Sequence, residues 1–131
     1  MAETAAKNNV VLVVEDDHAV NDKVCDALDG AGFEPVAAYD GDDALRLARA
    51  RRPALILLDL NLPDADGVHI CRTLMNTPAT RKIPIIVFTG RTDLTSKFSC
   101  FVAGAHRYLT KPVDHEELMR EVQDALCVRQ T

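Results

Sequence analysis

The chain has 131 residues, enough for one domain around one buried core. Its composition, 47% hydrophobic and 27% charged, is that of a globular protein, and its formal charge of −5 argues against broad contact with nucleic-acid backbones, which needs a positive surface. No apolar run approaches the roughly 20 residues of a membrane span, and Met1–Asn9 lacks the apolar core of a secretory signal, so the cytoplasm is the expected location.

Residues 1–9 read as a short polar, flexible arm. Val10 to Val14 is a β-branched run that ends in Glu15-Asp16-Asp17. Val20, Val24, Ala27, Leu28 and Ala31 then recur at helical spacing, and Gly30 and Gly32 mark the stop. Glu34 to Ala38 is a weaker strand candidate. Asp42 is the expected cap of a helix carrying Ala44, Leu45 and Ala48, which Pro53 closes. Ala54 to Leu58 is the next apolar run, and it ends in Asp59. After a loop with Pro63, Asp64 and Gly67, the positions Val68, Cys71, Leu74 and Met75 predict a third helix. Pro84 to Phe88 runs into Thr89-Gly90, and Leu94, Phe98, Phe101 and Val102 mark a fourth helix. His106 to Thr110 is a short strand before Lys111-Pro112. Leu118, Val122, Ala125 and Leu126 mark a fifth helix, with Asp114 near its start.

Continuous apolar strands alternating with amphipathic helices indicate an α/β fold with a parallel sheet covered on both faces. Five β–α units with right-handed crossovers fit a doubly wound sheet of order 2-1-3-4-5, and an eight-unit barrel would need about 250 residues. Cys25, Cys71, Cys100 and Cys127 are widely spaced and form no C-x-x-C pair, so no disulfide framework is expected. Cys25 and Cys71 read as packing residues, and Cys100 and Cys127 as more exposed ones.

Four strands end on chemistry-bearing residues: Glu15-Asp16-Asp17, Asp59, Thr89 and Lys111. In a parallel sheet these ends share one edge, and ligands bind where the strand order reverses, between strands one and three. Three carboxylates gathered there need protons or a cation. Magnesium takes one or two carboxylates and leaves room for a phosphate, while a lysine and a threonine hydroxyl can hold phosphate oxygens. A carboxylate can attack a phosphoryl group, and Asp59 is central. Taken singly, Asp17 reads as a helix cap, the threonine as a β-former and Lys-Pro as a turn. Their joint placement makes coincidence improbable.

Val13-Val14-Glu15-Asp16-Asp17, the stretch Leu58 to Gly67 with its D-x-x-x-P-x-x-x-G spacing, Phe88-Thr89-Gly90 and Tyr108-Leu109-Thr110-Lys111-Pro112 together resemble the response-regulator receiver domain of two-component signalling. The resemblance runs from about Val10 to Leu126, giving a receiver domain over residues 10–128 and no output domain after it. It implies a flavodoxin-like three-layer sandwich with Asp59 as phosphoacceptor. It implies Mg2+, with Mn2+ as a substitute, held by Asp16 and Asp59, by the main-chain carbonyl of Asn61, and by Glu15 through water. Thr89 and Lys111 would contact the phosphoryl oxygens, Thr89 and Tyr108 would form the switch, and Lys111-Pro112 would be a cis peptide. The donor would be a sensor histidine kinase or a histidine phosphotransfer protein. The output would be a shifted surface of fourth helix, fifth strand and fifth helix, serving a partner, intramolecular control or a homodimer. Such a domain is a regulator rather than an enzyme, catalysing at most its own phosphorylation and dephosphorylation, with no direct contact to nucleic acid or membrane. Asn61 and Arg91 resemble positions that tune phosphate lifetime, Gly90 should leave the site open, and Val113 stands where many relatives carry an aromatic residue.

Two other classes fit less well. A flavodoxin-like cofactor binder needs a Ser-, Thr- or Gly-rich phosphate loop after the first strand, where this chain has Glu15-Asp16-Asp17. A haloacid-dehalogenase-type phosphatase needs D-x-D after its first strand, whereas Asn61 stands two residues after Asp59. A stand-alone receiver and a piece of a larger regulator or hybrid kinase remain equally open.

Overall fold

The runs Val10–Val14, Leu55–Leu58 and Ile85–Phe88 offer no polar face to water, so each needs a covering layer on both sides. The computed structural model, which describes residues 8–130, supplies those layers. Its elements in chain order are β1 (Val10–Val14), α1 (His18–Gly30), β2 (Glu34–Ala38), α2 (Gly41–Arg51), β3 (Leu55–Leu58), α3 (Gly67–Asn76), β4 (Ile85–Thr89), α4 (Leu94–Ala103), β5 (Arg107–Thr110) and α5 (His115–Gln130). All strand pairs are parallel and the order is β2-β1-β3-β4-β5, the doubly wound arrangement expected.

Alternation along the strands makes two cores. Val11, Val13, Leu57 and Phe88 face Val24 and Leu28 of α1 and Leu118 and Val122 of α5. Leu12, Val14, Leu58 and Val87 face Ala44 and Ala48 of α2, Ile70 and Leu74 of α3, and Cys100 of α4. With a period of two, the central strands serve both faces at once. This rigid three-layer frame fixes where the strand ends point.

The structure corrects two expectations and reveals the inner face of α4. The cap of α2 is Asp40, whose carboxylate accepts the N–H of Asp43 at 2.8 Å. Several acids there are competent caps, but only Asp40 has the extended backbone that turns into the helix, and Asp42 lies in the first turn. The apolar stripe that marks α4 faces outward: Leu94 is 80% and Phe98 70% exposed, while Ser96 and Cys100 are buried. Helical spacing identifies a helix but not its inner face. For the same reason Cys100, expected to be more exposed, is fully buried, and all four cysteines are free thiols. Burial pushes the Cys71 thiol up to about 12 and that of Cys100 up to about 11, as for inert core thiols.

Of the expected arm, residues 1–7 lie outside the described residues. The side-chain amides of Asn8 and Asn9 donate to the carbonyls of Arg52 and Gly32, each at 2.9 Å. No described helix is long and apolar enough to cross a membrane.

Candidate functional site

The residues that follow the strands continue the sheet ladder by one step. Glu15 N–H donates to Ala38 O at 3.0 Å, Asp59 N–H to Val14 O at 3.0 Å and Lys111 N–H to Thr89 O at 2.8 Å. The backbone under each of these side chains is therefore fixed laterally before the side chains meet. At the reversal between β1 and β3, carboxylate oxygens of Glu15, Asp16 and Asp59 lie within 4.8 Å of one another.

Glu15 and Asp59 are buried, and Asp16 is open to solvent. The Lys111 ammonium bridges the two buried acids, donating to Asp59 Oδ2 at 2.9 Å and to Glu15 Oε1. The second oxygen of each acid takes a main-chain donor. Asp17 N–H reaches Glu15 Oε2 at 3.1 Å, and Asn61 N–H reaches Asp59 Oδ1 at 3.1 Å. Lys111 thus pairs with two of the three clustered carboxylates, and their burial shows in the acid–base chemistry. Burial pushes the Glu15 carboxyl up to about 7, against the opposing pull of Lys111 and the Asp17 N–H. Burial alone would lower the Lys111 ammonium, but its hydrogen bonds to Glu15 and Asp59 win and raise it. An all-oxygen donor set with one exposed member and excess negative charge fits a hard divalent cation.

That fit has a pH consequence. Below about 7 Glu15 holds a proton, so a cation must displace it. Magnesium affinity is expected to fall by up to about tenfold per pH unit below that point, in proportion to the one proton released. Calorimetric titrations at pH 6 and pH 8 check this, with Glu15→Gln as the flat control. An equal affinity at both pH values in the parent protein would remove Glu15 from the site.

Thr89 and Tyr108 meet through Arg91. Thr89 is fully buried, and its hydroxyl accepts the Arg91 N–H at 3.4 Å. The Tyr108 hydroxyl donates to the Arg91 carbonyl at 2.9 Å. The Arg91 guanidinium donates to Ser96 Oγ at 2.5 Å and to Asp66 Oδ1 at 3.2 Å, tying the β4–α4 loop to the starts of α4 and α3. The Lys111–Pro112 peptide is cis. A Cβ added at Gly90 would meet nothing within 4 Å, so that flank is open.

Three positions escaped sequence reasoning, or had their part in the site underrated. Asn21 is fully buried, and its amide spans the carbonyls of Val13, Glu15 and Ala38 at 3.0–3.3 Å, pinning the chain where β1 gives way to Glu15. A polar residue on the inner stripe of α1, in step with Val24 and Leu28, was the available signal. Asp64 accepts the N–H groups of Gly41 at 2.7 Å and Asp42 at 3.0 Å, anchoring the Asp59 loop to the start of α2. These bonds hold the Asp64 carboxyl below its usual range. Arg91 was noted only as a flanking residue, and its partners on α3 and α4 had no local signal.

Fold and site together define an α/β domain with an acidic, cation-compatible cluster at the switch point of its sheet. The family model for the response regulator receiver domain matches residues 11–123, and the chain belongs to that family. The chain is 38% identical over 116 residues to the DNA-binding dual master transcriptional regulator RpaA of Synechocystis sp., covering 88% of this chain and 48% of that protein. It is 35% identical to the phosphate regulon transcriptional regulatory protein PhoB of Escherichia coli, covering 86% and 49%. It therefore spans about half the length of the curated relatives it matches. Among solved structures, a CheY-like response regulator receiver domain protein from Methanospirillum hungatei superposes with a TM-score of 0.90 at 25% identity, covering 95% of this chain and 98% of that one. Receiver domains are regulatory modules of two-component systems that interact with kinases and phosphotransfer proteins.

Proposed function

We propose that this receiver domain accepts a phosphoryl group on Asp59 from the phosphohistidine of a sensor histidine kinase or a phosphotransfer protein, in the cytoplasm. The observation that carries the reading is the Lys111 bridge between Glu15 and Asp59 at the β1/β3 switch point. Asp16, Asp59 and the Asn61 carbonyl would hold Mg2+ (or Mn2+), with Glu15 acting through water. When bound, the ion would offset the negative charge of the transferring phosphoryl group.

The protein's own part follows from charge and reach. An Asp59 carboxylate oxygen attacks phosphorus in line, the P–N bond to the donor imidazole breaks and a P–O bond forms. Lys111, already paired with Asp59 Oδ2, stabilises the charge gathering on the phosphoryl oxygens. Thr89 supplies a hydroxyl donor to the same oxygens. Through the same groups the domain would promote both its own phosphorylation and its own dephosphorylation.

The switch reading rests on Arg91. Its N–H contacts Thr89 and its carbonyl holds Tyr108, so a Thr89 drawn towards phosphate loosens the Tyr108 bond. Tyr108 then rotates, shifting the population of the α4–β5–α5 surface. Phe101 of α4, 6.5 Å from the Tyr108 ring and exposed, lies on that surface, which serves a downstream partner or a second copy.

The test is intact mass after incubation with magnesium and acetyl phosphate. One phosphoryl adduct is expected, absent in Asp59→Asn and abolished by a chelator. An unchanged mass with every small donor, together with no response to beryllofluoride, would overturn the phosphoacceptor assignment.

A further inference from the structure

A cavity of about 550 Å³ lies between α1 and α5, beside the Lys111–Pro112 turn. Val24, Phe88 and Leu118 line it although each is almost wholly buried, so it reaches the α1/α5 core. Val20 and Val113, both half-buried, complete the apolar lining. The size lies within the usual range for sites that enclose a small organic molecule.

The charged part of the lining has one sign. Lys23 and Lys111 contribute to it, His115 adds an imidazole, and no carboxylate lines the cavity, in a chain whose formal charge is −5. Lys111 is committed to Glu15 and Asp59. Lys23 is exposed and makes no ion pair among the described residues. A wholly polar anion would lose hydration against Val20, Val24 and Leu118 without replacement. A wholly apolar ligand would leave the lysine unused. A molecule with an apolar body and one negative end satisfies both parts of the lining.

We propose that this cavity binds a small aromatic carboxylate, its ring against Val20, Val24, Phe88 and Leu118 and its carboxylate on Lys23. No residue of the acidic cluster lines the cavity, and binding is measured with neither magnesium nor phosphodonor, so the assignment stands apart from the phosphoacceptor reading.

Naphthoate and the corresponding neutral naphthyl methanol are the probes, titrated into the full chain and followed by amide NMR. Naphthoate is expected to shift the amides of Val20, Val24, Val113 and Leu118 saturably, and more tightly than the neutral alcohol. Val113→Phe fills the cavity and should weaken naphthoate by about tenfold or more, the scale of a lost apolar contact set. Val20→Phe gives a second filling variant should the first fold poorly, and the spectrum itself reports folding. Lys23→Ala should weaken naphthoate by about two- to fivefold, as for an exposed ion pair, and leave the alcohol unchanged. Shifts scattered over the surface, binding indifferent to both filling variants, or equal affinity for acid and alcohol would each overturn the proposal.

Discussion

Gly67→Ala is expected to destabilise the domain by about 2–4 kcal/mol, lowering Tm by about 10 °C. The reason is space rather than backbone conformation. A Cβ at position 67 would lie 2.4 Å from Leu60 Cα, 2.8 Å from Asp59 O and 3.0 Å from Leu60 O. All three are main-chain atoms, so no side chain can swing away to relieve the overlap. The loop is also closed on itself: Gly67 N–H donates to Leu60 O at 2.9 Å, and Asn61 pairs with Asp66 in an antiparallel bridge. Relief must therefore move residues 59–61, which carry the candidate acceptor and a candidate metal carbonyl. Phosphoryl uptake from acetyl phosphate should fall along with stability. Gly90→Ala is the matched control, since its Cβ meets nothing within 4 Å, and it should stay within about 0.5 kcal/mol of the parent protein. Thermal melts of the two variants decide the matter. A Gly67→Ala protein as stable as Gly90→Ala would mean that the loop can open at no cost.

The same loop shows what sequence could and could not disclose. The five units, their order and the positions of Glu15, Asp59, Thr89 and Lys111 were legible because apolar runs stop abruptly at charged or hydroxyl residues. Parallel strands then bring those stops to one edge by topology alone. The spacing from Asp59 to Gly67 was legible as a motif, but its cause, a backbone crossing at Leu60, exists only in three dimensions. The inner face of α4 was not legible. Its large residues lie outside, and the small Ser96 and Cys100 pack inward. Periodicity carries no sign, and the rule that large apolar residues go inside fails where a surface is left apolar. Asn21, Asp64 and Arg91 bond to partners that are mostly distant in sequence and largely main chain, and such partners have no residue-type signature.

Lys111→Met separates the electrostatic part of the site from its packing, since the stem is kept and the ammonium is lost. Glu15 and Asp59 would then face each other nearly dry, without the cation that bridges them. In the parent protein Glu15 already has a folded-state value of about 7 against an ordinary 4.5, with burial as the main cause. Its proton is held more tightly folded than unfolded. Its contribution to stability is therefore full below about 4.5 and is lost as pH rises through about 7. Removing Lys111 raises the folded value further, so the variant's deficit should be small at pH 5 and grow towards pH 8. There a loss of about 1–3 kcal/mol is expected, discounted because the lysine is itself partly exposed to water. Magnesium should recover much of that loss, because it replaces the missing charge. Phosphoryl transfer should not recover, falling by about 100-fold or more even with the site loaded, because in the proposed reaction the ammonium acts on charge that develops only during transfer. Lys111→Arg should not rescue it, since a planar fork cannot occupy the place of a compact ammonium between two acids. Melts at pH 5 and pH 8 with and without magnesium, alongside transfer rates on the folded variant, keep the two roles apart. A folded, magnesium-loaded Lys111→Met protein that phosphorylates at the parent rate would confine Lys111 to holding the carboxylates together.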